Sequence, residues 1–152
     1  MGEIPPHVFI AFDACGLGPP EESEKQAVEE LLALIDEHEV QCDIPEDVAG
    51  EVDQHRRARE KRRGRIISCN PQIGGNWFLE VQRILFGTKT DLSTNEINDI
   101  RILLNAYHHL CSYFVTFDKK HILSKRSEIK ARLGFEVVTP SECLAILRGY
   151  LR

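Results

Sequence analysis

A chain of 152 residues, 42% hydrophobic and 28% charged, is long enough for one domain with a sizeable core and short for two. No apolar stretch approaches the roughly 18 residues of a membrane helix, which predicts a soluble protein with no membrane partner. The formal charge of −5 is unevenly spread: His55–Arg65 holds seven basic residues and one acid, so an acidic body carries one basic ridge.

Residues 7–12 are uniformly apolar, which predicts a strand covered on both faces of a parallel sheet. A loop over 14–20 leads to a helix over 22–38 whose Val28, Leu31, Leu32 and Ile35 share one side. A second strand is expected over 40–44, and Pro45 can open a helix running to about Arg63. After an ambiguous stretch at 65–69 and a loop at 70–75, residues 77–86 have a helical pattern. Ser93-Thr94-Asn95-Glu96 forms a capping box and predicts a helix over 94–111. A strand at 113–117, a helix over 120–133 stopped by Gly134, and a strand at 135–138 follow; a second capping box, Thr139-Pro140-Ser141-Glu142, starts the last helix. This alternation predicts an α/β three-layer sandwich, a small, mostly parallel sheet flanked by helices. The five cysteines, Cys15, Cys42, Cys69, Cys111 and Cys143, form no Cys-x-x-Cys pair and follow no secretory leader, so free thiols in a cytoplasmic protein are expected.

Three carboxylates stand in costly places. Asp13 closes the first apolar run and Asp118 the run Tyr113–Phe117, which puts both at the carboxyl edge of the sheet, where ligands bind. At about 100° per residue, helix 94–111 turns Ile97, Ile100, Ile102, Leu103, Leu104, Ala106, Tyr107, Leu110 and Cys111 to one broad arc, and Asp99 and Glu96 fall inside it. For Glu96 the capping role suffices; Asp99 makes no such box and is the functional candidate. Glu51 shows the same anomaly, on the side of Val48, Val52 and Ala58. Gathered like charges cost stability unless a cation offsets them. Hard Mg2+ or Mn2+ prefers carboxylate and water oxygens, and two such ions about 3.5–4 Å apart can activate a water and stabilise a leaving oxygen. Phosphodiester hydrolysis is the natural reaction class.

The ordered set Val8-Phe9-Ile10-Ala11-Phe12-Asp13, Glu51 on a helix, Asp99 with Ala106 seven residues on, and Phe114-Val115-Thr116-Phe117-Asp118 resembles the PIN-domain nucleases, which include toxin ribonucleases of toxin–antitoxin pairs. The resemblance covers residues 7–13, 45–52 and 93–140. It implies a PIN-like fold in which Asp13, Glu51, Asp99 and Asp118 ligate Mg2+ or Mn2+ for cleavage of single-stranded RNA, with Thr116 supporting the first aspartate. RNA is the expected substrate, an antitoxin or a second copy of the chain the expected protein partner. Arg56, Arg57, Arg59, Lys61, Arg62 and Arg63 would hold the RNA backbone, although the basic run alone reads as the solvated end of a helix. Cys15 and the Gly16-Leu17-Gly18-Pro19-Pro20 loop depart from the family pattern.

Other signals are weaker. Gly16-x-Gly18 lacks the third glycine of a dinucleotide fingerprint, and no phosphate-cradling G-x-x-x-x-G-K-[ST] occurs. His108, His109, Cys111 and His121 lack the pairing of a structural zinc site and read as solvated histidines and a core thiol; Trp77 and Phe78 read as core residues. A catalytically silent RNA- or protein-binding module and a small-phosphate phosphatase are the rival readings, the first disfavoured by retention of all four acids, the second by the basic ridge.

Overall fold

The protein is described by a computed structural model over residues 2–13, 21–43 and 75–152. Within them, β1 (Phe9–Phe12), β2 (Gln41–Asp43), β3 (Tyr113–Val115) and β4 (Glu136–Val138) form one all-parallel sheet in the order β2-β1-β3-β4. The helices are α1 (Glu22–Glu37), α2 (Gly75–Phe86), α3 (Thr94–His108), α4 (Arg126–Leu133), which a 3-10 turn at Leu123–Lys125 precedes, and α5 (Pro140–Tyr150).

The apolar run of β1 is explained by its central place. Ile10 and Phe12 pack with Val28, Leu31 and Ile35 of α1 and Leu144 and Leu147 of α5. Phe9 and Ala11 pack on the other face with Val81 and Leu85 of α2, Ile100, Leu103 and Leu104 of α3, and Ile129 of α4. The result is an α/β fold with a parallel sheet between two helical layers. A parallel sheet needs such double cover, because both faces of each inner strand are apolar. Among the described residues no helix is long and apolar enough to cross a membrane.

Both capping boxes form: Ser93 accepts from the Glu96 N–H at 3.2 Å while Glu96 accepts from the Ser93 N–H at 2.9 Å, and Thr139 and Glu142 repeat the exchange. Other boundaries differ from expectation. α3 stops at His108 rather than Cys111, because Leu110 takes a left-handed φ of 57°. The Leu110 N–H then donates to the Tyr107 carbonyl and the Cys111 N–H to the Ala106 carbonyl, each at 3.1 Å, a Schellman closure. Cys111 is thereby buried and Leu110, expected on the apolar arc, is 82% exposed. The expected helix over 120–133 is shorter, since the backbone after Asp118 is taken up by a turn. Trp77, expected in the core, is exposed, its ring 4.7 Å from that of Tyr107. The expected helix after Pro45 and the loops at 14–20 and 70–74 lie outside the described residues.

Candidate metal centre

Parallel strands bring their carboxyl ends to one edge, and the ladder continues past β1 and β3 there. The Asp13 N–H donates to the Val115 carbonyl at 3.2 Å, and the Thr116 N–H to the Val138 carbonyl at 3.0 Å. Asp13 and Thr116 are both buried. The Thr116 hydroxyl donates to Asp13 Oδ2 at 2.5 Å and accepts the Asp118 N–H at 3.1 Å. One side chain on β3's extension therefore fixes the carboxylate at the end of β1 and the start of the loop that bears Asp118.

That loop is shaped by Asp118 itself. Its Oδ1 accepts the His121 N–H at 3.0 Å, and its carbonyl accepts the Ile122 and Leu123 N–H groups at 3.3 and 2.9 Å. With Oδ1 so engaged, Oδ2 lies 3.7 Å from His121 Nδ1. Asp99 comes to the same place from the second turn of α3. Asp99, Asp118 and His121 each offer a ligand atom, and these atoms all lie within 4.8 Å of one another. Burial pushes the Asp99 carboxyl up to about 6, the charges of Asp118 and Glu96 add to the rise, and His121 opposes it. Such a group is ionised at a cost that a neighbouring cation would remove.

The structure thus brings Asp99 and Asp118 together and ties Asp13 to Asp118 through Thr116, while Asp13 is not a member of the three-residue group. Glu51 and the basic side chains Arg56, Arg57, Arg59, Lys61, Arg62 and Arg63 lie outside the described residues. Glu96 is held as a cap, and Lys89 Nζ binds both its oxygens at 2.9 Å; the Ser93 backbone bond, then Lys89, keeps its carboxyl well below the usual range. His121 corrects the expectation of a solvated histidine, for it is half-buried beside two carboxylates. His108 is exposed, and His109 stacks on Phe9 with ring centroids 6.1 Å apart. The buried Cys111 thiol is pushed well above its usual pKa by burial and by Asp43, so it is no ready metal ligand.

Asp43 is an acid that the sequence reading passed over. It pairs in register with Ala11 and faces the same side, because Cys42 before it packs with the α1 and α5 layer. It is buried, its Oδ2 accepts from Asn105 Nδ2 at 2.6 Å, and burial outweighs that bond to push its carboxyl up to about 7. In the fold Asp43 ends β2, much as Asp13 follows β1, but the strand expected over 40–44 left it inside the run. No protein-family model matches the chain, and no curated protein matches it.

Proposed function

We propose that the chain is a metal-dependent ribonuclease that hydrolyses phosphodiester bonds of single-stranded RNA at the sheet edge bearing Asp13, Asp99 and Asp118. The observation that carries this reading is the convergence of Asp99 and Asp118, two carboxylates from separate elements, on one spot where the Asp99 carboxyl is driven up to about 6 by burial and by its neighbour's charge. Their oxygens fit a hard divalent cation, Mg2+ or Mn2+, whose charge would offset that repulsion. Asp99 and Asp118 would hold the ion, and the PIN-domain resemblance adds Asp13 and Glu51 to the set.

When bound, such an ion supplies Lewis-acid polarisation of a phosphate and lowers the pKa of water. The chain's own residues do the positioning. Thr116 orients Asp13 and anchors the Asp118 backbone, and the turn after Asp118 leaves Oδ2 unencumbered by the His121 N–H. The basic side chains from Arg56 to Arg63 would hold the RNA backbone through its phosphates, which positions substrate without reading sequence. An antitoxin or a second copy is the protein partner this reading adds.

The test is cleavage of labelled single-stranded RNA by the wild type in Mn2+, in Mg2+ and in chelator. Activity should vanish in chelator and fall by about 100-fold or more in Asp99→Asn and Asp118→Asn, with folding intact. Cleavage that persists in chelator, or survives both substitutions, rules the reading out.

A further inference from the structure

We propose that His121 is a nitrogen ligand of this centre and makes it selective for a first-row transition-metal ion, Mn2+ being the hardest of them, over Mg2+. The inference rests on the metal reading above and deepens it. Three contacts carry it. The His121 N–H to Asp118 Oδ1 bond fixes the backbone of one residue to the carboxylate of the other, so the imidazole springs from a main chain anchored beside that carboxylate. Nδ1 then stands 3.7 Å from Oδ2, beyond hydrogen-bond reach, so the ring is not committed to Asp118 as a simple donor. The Phe86 ring lies against the imidazole, centroids 5.6 Å apart and tilted by 59°, and limits its rotation.

The spacing suits a shared ion. Two ligand atoms each about 2.1 Å from one ion stand about 3.0–3.4 Å apart at right or tetrahedral angles, so a small turn of the ring closes the observed gap. The third atom, from Asp99, completes a set within 4.8 Å. An all-oxygen set would suit Mg2+, which keeps its waters and takes carboxylates. An imidazole in the set favours ions that accept nitrogen, and among those the affinity rises from Mn2+ along the first transition row. Two oxygens and one nitrogen therefore make a different site from four carboxylates. Position 121 sets the difference.

The test titrates Mn2+ and Mg2+ into the full chain by calorimetry and records the electron spin echo of the Mn2+ complex. The wild type should bind Mn2+ about tenfold or more tightly than Mg2+, and its echo should carry the modulation of a directly bound nitrogen-14. His121→Ala should lose that modulation and bind Mn2+ about tenfold more weakly, with Mg2+ affinity changed less than about threefold. His121→Asn, which keeps a polar group of similar reach, guards against a folding defect: with a wild-type circular dichroism spectrum it should still lose the nitrogen signal. Mn2+ bound without nitrogen modulation, or modulation that survives in either variant, overturns the inference and leaves the ribonuclease reading standing. Nitrogen modulation in a protein that cleaves no RNA has the opposite meaning. No saturable uptake of either ion overturns both.

Discussion

Thr116 is the residue on which the carboxylate edge turns. Fully buried, it serves two partners with one hydroxyl, Asp13 Oδ2 and the Asp118 N–H. Thr116→Val keeps the shape and removes both bonds, so it should lower stability to urea by about 1–3 kcal/mol, the cost of deleting hydrogen bonds to buried and charged groups. Thr116→Ser should stay within about 1 kcal/mol of wild type, since the hydroxyl remains. Equal losses in the two variants would show that the methyl, not the hydroxyl, matters. Asp43 makes a pH-dependent prediction. Its folded pKa of about 7 lies above the 3.8 of a free aspartate, so the folded state holds this proton more tightly. The stability it contributes is present below pH 3.8 and lost as pH rises through about 7. Asp43→Asn, whose amide oxygen can still accept from Asn105, should match wild type near pH 4 and exceed it by on the order of 2–4 kcal/mol at pH 8. A difference independent of pH would contradict the raised pKa. Asp43 and His121 were hard to read for different reasons. The strand expected over 40–44 placed Asp43 inside a run rather than at its end. His121 lies in a turn, where no periodicity tells which way a side chain points.

At the scale of the element, the helix boundaries with a local chemical mark were the legible ones, the two capping-box starts and the Gly134 stop, whereas the unmarked start expected at 120 lies at Arg126. A capping box is a local exchange between residues three apart, and Ser93/Glu96 and Thr139/Glu142 form as their spacing dictates. The end of α3 is set by a left-handed residue, and nothing in Tyr107-His108-His109-Leu110-Cys111 advertises one, because glycine is the residue that usually takes that place. Leu110 and Glu39 both occupy it, at φ 57° and 52°, and Glu39 closes α1 as Leu110 closes α3, with the Val40 N–H donating to the Ile35 carbonyl at 3.0 Å. A side chain there is strained, and Leu110, 82% exposed, has little packing to lose. Leu110→Gly should therefore raise stability by about 0.5–1 kcal/mol, read as a higher urea midpoint at unchanged slope. A loss of stability would mean that Leu110 is held by contacts rather than tolerated. Asp99 sits one turn inside the well-marked start of this helix, which is why its anomaly was visible in the sequence while the helix end was not.

For the whole molecule, the uniform apolar run of β1 and the alternation of strands with helices made the parallel sheet legible, and the sheet puts Asp13 and Asp118 at one edge. What joins that edge to α3 is tertiary, and only the folded chain brings Asp99 to Asp118. The acids gathered there repel one another, and in the metal-free protein that repulsion is a cost of folding. A cation that binds the folded state alone stabilises it by mass action, about 2.7 kcal/mol at a hundredfold excess over its dissociation constant. For a chain of this size that corresponds to a rise in unfolding temperature of roughly 5–10 °C. The direct measurement is thermal unfolding of wild type, Asp13→Asn, Asp99→Asn and Asp118→Asn, each in chelator and in saturating Mn2+. The account predicts that Mn2+ raises the wild-type midpoint by several degrees, that all three substitutions blunt the rise, and that Asp99→Asn unfolds later than wild type in chelator because it removes a charge ionised at a cost. An equal response to Mn2+ in wild type and variants would contradict it.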